Sequence, residues 1–425
     1  MKTPLRFFCA LFLLTLSLIA HADDSLTVKV DKLFAAWDKP DTPGCALAII
    51  KDGQIIYKRG YGMASLEFDK PIQPSTAFCI ASVSKQFTAF AIQLLAQDGK
   101  LSLDDDVRKY VPELHDFGKT ITIRHLIHHT SGLRDYFGPL NLAGWGGRHD
   151  SILQSDILQF LWRQKELNFA PGEKYLYSNS GYVLMGLIIQ RVSGKTLREF
   201  ADERIFQPLG MTQTQFRDDY QAVIKNLSSS YIQRGQEFRT ELLAWEGGGE
   251  GNIISTVEDM AKWDQNFTDA KVGGQAVIAA MQQKGKLNSG KEITYASGLG
   301  IAEYKGLRTV DHGGSVGGYR TEFLRFPDQK LTVILLANAD RFAPSALARS
   351  IADLYLEEPI KAASARAAAS EKTAPAAPTP VPVKVAPERL KAYVGKFAFS
   401  SFVRSFQMAG DELQVISGGN PTPLI

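Results

Sequence analysis

Strand signals stand at both ends of this chain with a helix-rich middle between them, and that separation constrains the fold more than any other feature. Residues 45–50 and 54–59 are strand-like runs joined by Asp52-Gly53, a pair that tolerates the positive φ of a tight hairpin. Far downstream, residues 321–326 and 331–337 flank Pro327-Asp328-Gln329-Lys330 and read as a second hairpin with a largely buried return strand. A helix over 345–356 follows. In the middle, Phe87, Phe90, Ala91, Leu94 and Leu95 recur at helical spacing and stop before Gly99, so a buried helix begins near Ser82. Residues 182–192 are similarly apolar and end at Ser193-Gly194. One sheet assembled from the chain's two extremities and covered by helices accommodates this order.

The ends carry their own signals. Lys2 and Arg6 precede the apolar run 7–19, which is too short for the roughly 20 residues that span a bilayer. Ala20-His21-Ala22 then supplies a small-x-small cleavage pattern, so residues 1–22 are expected to be a signal peptide and the product periplasmic or secreted, with no integral membrane span. Without Lys2 and Arg6 the 48 basic residues against 45 acidic become 46 against 45, which leaves no electrostatic case for nucleic acid. Cys9 leaves with the same segment, and whether Cys45 and Cys79 form a bridge is not decided by spacing. The main domain is expected over 23–357. Residues 361–388 hold ten alanines, five prolines and no aromatic residue, so 358–388 reads as a semi-extended linker. Strands over 393–406 and 413–416 make 389–425 a short β-rich segment.

Three short motifs bear on chemistry. Ser82-Val83-Ser84-Lys85 is the only Ser-x-x-Lys, and about one such match is expected by chance, so its placement carries the weight. At a helix start, unpaired N–H groups favour a developing oxyanion and disfavour a protonated lysine, and Lys85, one turn on, can return to the Ser82 hydroxyl. Tyr177-Ser178-Asn179 is the only Tyr-x-Asn. In an extended segment its phenol and amide point to one face, and a nearby cation such as Lys85 would lower the phenol's pKa. His312-Gly313-Gly314-Ser315 lies just before the second hairpin, where glycines let a ligand approach main-chain donors.

In this order the motifs resemble the serine β-lactamase and penicillin-binding-protein superfamily, in its class C, carboxypeptidase and esterase branch. Residues 78–81, 125–133, 208–212, 249–263 and 312–338 look like stretches of the same family, and the resemblance runs from about Val30 to Glu357. It implies an α/β, β-lactamase-like fold: an antiparallel sheet flanked by helices, a mostly helical lobe, and here a short C-terminal β segment after a linker. It also implies catalytic roles for Ser82 as the acylated nucleophile and for Lys85 and Tyr177 as shared general acid and base, in proportions left open. Asn179, His312, Gly314 and Ser315 would bind substrate, with the N–H groups of Ser82 and Ser315 as oxyanion donors. No metal or cofactor is expected.

The departures narrow the function. No Ser-Asp-Asn and no defensible deacylating acid is visible, which argues against class A. His312 stands where antibiotic-hydrolysing and wall-peptidase members carry lysine, and an unperturbed histidine is mostly neutral at pH 7. The expectation is an exported serine hydrolase of esters or D-amino-acid peptides, with weak activity on carboxylate-bearing β-lactams. Its rival is a penicillin-binding sensor that acylates with little turnover. Oligomeric state is left open. Tyr136, Trp145 and Trp245 are candidates to line the pocket. Residues 313–317 also satisfy Gly-x-Ser-x-Gly, but a strand rather than a helix is expected after Ser315 and no histidine follows His312. His125, His128 and His129 share a helical face without a third carboxylate ligand, so a helix end capped by Gly132 is the expected reading.

Overall fold

The computed structural model describes residues 24–144, 151–373, 385–398, 403–417 and 420–423. Its sheet strands are β1 (Cys45–Lys51), β2 (Gln54–Tyr61), β3 (Gly300–Tyr304), β4 (Leu307–Val316), β5 (Tyr319–Phe326) and β6 (Leu331–Ala337). They lie side by side in the order β3-β4-β5-β6-β1-β2, every pair antiparallel. Both expected hairpins are present, and Asp52 and Gly53 take φ of +50° and +78° at the first turn. The two ends of the chain meet at the β1–β6 seam, where Cys45 faces Ala337 and Lys51 faces Leu331.

Five helices matter to the site: α1 (Asp24–Phe34), α2 (Lys85–Gln97), α3 (Asn179–Ser193), α4 (Val257–Asp269) and α5 (Pro344–Tyr355). Because side chains alternate along a strand, β1 feeds two cores at once. Cys45, Leu47 and Ile49 join α1 and α5 on one face, while Ala46, Ala48 and Ile50 face the helical lobe built around α2, α3 and α4. The helix α1 comes first, with Val30 and Phe34 fully buried and Phe34 stacked on Tyr61 at 4.4 Å. Phe87 and Phe90 of α2 pack on Trp263 of α4, at 4.5 and 5.1 Å between ring centres. Gly194, at φ +73°, ends α3 as its sequence suggests. Cys45 and Cys79 are buried free thiols.

The semi-extended reading of 361–388 is corrected over its first part, where helix Glu357–Thr373 continues. Alanine is the best helix former, and all five prolines of the stretch lie beyond Thr373, the first at Pro375. Residues 374–384 lie outside the described residues, as do the expected signal peptide and Trp145. A second compact unit begins at Arg366. It holds helix Pro387–Lys391 and four antiparallel strands in chain order, β7 (Gly395–Ala398), β8 (Val403–Ala409), β9 (Glu412–Ser417) and β10 (Asn420–Pro423). The last strand escaped sequence reading because Pro421 and Pro423 are poor strand residues. Among the described residues no helix is long and apolar enough to cross a membrane.

Candidate active site

Strand Phe78–Cys79 pairs with Ile253–Ser255 and delivers the chain to Ala81, whose φ of +47° is left-handed for a residue that carries a Cβ. A 3-10 turn, Ala81–Ser84, follows, and only at Lys85 does the α-helix begin. Ser82 therefore precedes α2 rather than opening it. In a 3-10 turn, residues three apart eclipse one another, which aligns Ser82 with Lys85. The Lys85 Nζ lies 3.2 Å from Ser82 Oγ, 2.8 Å from Asn179 Oδ1 and 2.6 Å from the Glu250 carbonyl oxygen. Lys85 is fully buried, and burial lowers its amine to about 7 against the opposing pull of the Glu250 and Asp135 carboxylates.

Tyr177 lies with its ring centre 4.9 Å from the same Nζ and hydrogen-bonds Ser82. Its phenol is pushed up, not down as the neighbouring cation suggested, because burial outweighs the Ser82 hydrogen bond. The extended Tyr-x-Asn geometry also needs correction. Ser178 is extended, but Asn179 is the first residue of α3. The two side chains still converge on Lys85. Asp135 fixes the Asn179 amide, its Oδ2 accepting from the backbone N–H at 2.5 Å and from Nδ2 at 2.9 Å, which turns Oδ1 toward the amine.

The Tyr177 segment is held by His129. Its Nδ1 accepts the Ser178 N–H at 3.1 Å, its carbonyl accepts the Leu176 N–H at 3.0 Å, and its ring lies 4.2 Å from that of Tyr177. Burial holds this imidazole well below its ordinary pKa, and Lys85 adds to the effect. The helix Ile123–Ile127 ends at His128, and His129 takes the left-handed conformation (φ +57°) that was expected of Gly132. Gly132, also left-handed, serves a close approach instead: a Cβ there would lie 2.1 Å from the Phe169 carbonyl oxygen. His125 uses Nδ1 to accept the Thr122 N–H at the start of that helix.

Across the cleft, β3 begins at Gly300, opposite Asp311, so residues 312–316 of β4 extend past it as an open edge. His312 contacts Tyr295 Oη through Nε2 at 2.9 Å and the Gly313 carbonyl through Nδ1 at 2.6 Å. Burial, with Lys85, lowers it to about 4. Gly314 packs on the turn that carries Ser82. A Cβ there would sit 2.2 Å from Thr321 Oγ1 and 2.5 Å from the Ile80 carbonyl oxygen. Ser82, Tyr177, His312, Gly314, Ser315 and Arg320 all line one cleft of about 470 Å³.

Several participants were not singled out in sequence. Glu250 is almost fully buried, takes hydrogen bonds from Tyr136 Oη at 2.5 Å and the Gly248 N–H at 2.7 Å, and is pushed up by burial. The acid bracketed by Gly249 and Gly251 was its only visible signal. Tyr136 and Trp245 do not line the cleft. Trp245 Nε1 donates to Tyr136 Oη at 3.2 Å, so both are buried around Glu250. Arg320, paired in register with Ser315, brings a cation to the cleft, its Nη1 tied to the Gly317 and Tyr319 carbonyls. After Ser315 the chain continues as strand to Val316, without the helix that Gly-x-Ser-x-Gly requires.

The family model described as Beta-lactamase matches residues 30–358. Penicillin-binding protein 4* of Bacillus subtilis is 33% identical over 319 residues, covering 71% of this chain and 69% of its own. A D-aminopeptidase of Brucella anthropi is 29% identical over 299 residues, covering 70% of this chain, and the match spans 56% of that enzyme's length. An octameric penicillin-binding protein homologue from Pyrococcus abyssi superposes with a TM-score of 0.70 at 25% identity, over 94% of this chain and 89% of its own. D-amino acid amidase from Ochrobactrum anthropi gives a TM-score of 0.65 at 22% identity over 81% of this chain and 99% of its own, a likeness of fold.

Proposed function

Because the chain belongs to the Beta-lactamase family, we propose that it is a serine hydrolase that opens small esters or D-amino-acid peptides through an acyl-enzyme on Ser82. The observation that carries this reading is the buried Lys85 amine, lowered to about 7 and 3.2 Å from Ser82 Oγ. An amine near neutrality has a lone pair free to take the serine proton, whereas an ordinary lysine does not. Ser82 Oγ bonds to the substrate carbonyl carbon as its proton passes to Lys85. The raised phenol of Tyr177 stays protonated, so it relays that proton to the departing alkoxide or amine. Water then repeats the sequence on the acyl-enzyme and frees the acid and Ser82.

The backbone N–H groups of Ser82 and Ser315 are the oxyanion donors in this scheme, each worth roughly 3 kcal/mol in the transition state. Asp135 and Asn179 hold the Lys85 amine in place. His312, neutral at pH 7, offers no permanent charge to a carboxylate, and Arg320 is partly occupied by two carbonyls, so β-lactams are weak substrates. The N-terminal pattern of residues 1–22 supports export to the periplasm or medium, checked by N-terminal sequencing of the mature protein.

Turnover of p-nitrophenyl esters and D-alanine p-nitroanilide, abolished by Ser82→Ala, is the expected result. A persistent stoichiometric adduct with fluorescent penicillin and no turnover would instead identify a sensor. No label and no hydrolysis would remove both readings.

A further inference from the structure

At the opposite end of β4 from the cleft lies a second cavity of about 440 Å³, between the last turns of α4 and the tips of both hairpins. Arg308 and Gly314 are six positions apart on that strand, so the two sites are separated by about 20 Å at ~3.3 Å per residue. Arg325 forms part of its wall while only 6% exposed. Its Nε donates to Asp264 Oδ1 at 2.5 Å and its guanidinium lies over the Phe267 ring at 4.4 Å. The hydrogen bond that Arg325 makes by geometry runs through Nε, and its guanidinium, with two further nitrogens that carry donors, forms part of the cavity wall.

The surrounding charges decide what fits there. Asp264 is the ion-pair partner of Arg325, its Oδ1 also accepting from Thr332 Oγ1 at 2.8 Å, and the exposed Asp52 carboxylate lies 3.8 Å from Lys51 Nζ. Two cations of the lining are left over. Arg308 bonds only the neutral Gln282 among the described residues, Nη2 to Oε1 at 3.1 Å, and Lys330 has no ion-pair partner among them. A buried fork, a second guanidinium and an ammonium around one recess form the donor set that matches oxygens of a multiply charged anion.

We propose that this cavity is a binding site for a small polyvalent oxyanion of the phosphate or polycarboxylate class, distinct from the catalytic cleft. Arg325 supplies the buried fork, and Arg308 and Lys330 close over the anion from β4 and the β5–β6 turn. Neither of the last two belongs to the catalytic machinery.

Titration calorimetry of the full chain with inorganic phosphate and with citrate, at constant ionic strength against chloride, tests the site. Saturable binding of either anion is expected, weakened about tenfold or more in the Arg308→Gln/Lys330→Gln double variant, whose folding is checked by circular dichroism and whose esterase activity should be unchanged. The tighter of the two anions identifies the natural chemistry. Heats no larger than those of chloride overturn the proposal. So does binding that persists in the folded double variant, because it would then lie elsewhere.

Discussion

Replacing Glu250 by glutamine should move the acid limb of the pH profile downward. The reaction needs the unprotonated Lys85 amine, so the active fraction falls as pH drops through a pKa of about 7. Burial depresses that pKa, while Glu250 and Asp135 oppose the depression. A carboxylate charge roughly 6–12 Å from an amine, at an effective dielectric of ~20, changes its pKa by about 1–2 units when deleted. Wild type at pH 6 should run at about a tenth of its plateau, and the variant at about half to nine-tenths of its own. Glutamine keeps one acceptor for Tyr136 Oη or the Gly248 N–H but not both, so a stability loss of about 1–3 kcal/mol accompanies the shift. The assay is kcat/KM for a p-nitrophenyl ester from pH 5 to 9, normalised to each protein's plateau. A midpoint that stays put would mean that Glu250 is already protonated and exerts no field. A midpoint that rises would refute the electrostatic account.

Three further outcomes follow from the geometry. Gly314→Ala should lower kcat/KM at least tenfold and cost about 1–3 kcal/mol, because its methyl meets Thr321 Oγ1 and the Ile80 carbonyl; activity and thermal unfolding check it together. Tyr177→Phe should reduce kcat by about 10²–10⁴ with KM little changed, measured by steady-state kinetics on an amide whose amine needs a proton. His129→Phe removes the acceptor for the Ser178 N–H and should lower kcat, whereas His129→Asn, which restores an acceptor, should recover part of it; equal losses in both would argue against the hydrogen bond.

The two hairpins were legible because Asp52-Gly53 and the alternation around Pro327–Gln329 are local signals, and α2 and α3 because their apolar spacing is local too. Helix α1 was missed since it lies beside the expected cleavage site, where the targeting pattern dominates the reading. Ser82, Lys85, Tyr177 and His312 were found through their motifs. Glu250, Asp135 and His129 were not, because their relevance depends on burial and on contacts across 44 to 165 positions that no local pattern encodes. The direction of the Tyr177 shift failed for the same reason: a neighbouring cation is visible in sequence, and desolvation is not.

The β1–β6 seam has a consequence for how the chain reaches its native state. Cys45 and Ala337 are 292 positions apart (337 − 45), and closing a loop of that length costs about 5 kcal/mol of chain entropy, a cost shared by every rung of the ladder once the first forms. Until the ribosome has released the last strand, β1 has hydrogen-bonding groups along one whole edge and an almost wholly apolar sequence with no partner to cover it. A nascent chain halted before Leu331 is thus a sticky ribbon rather than a partly built enzyme.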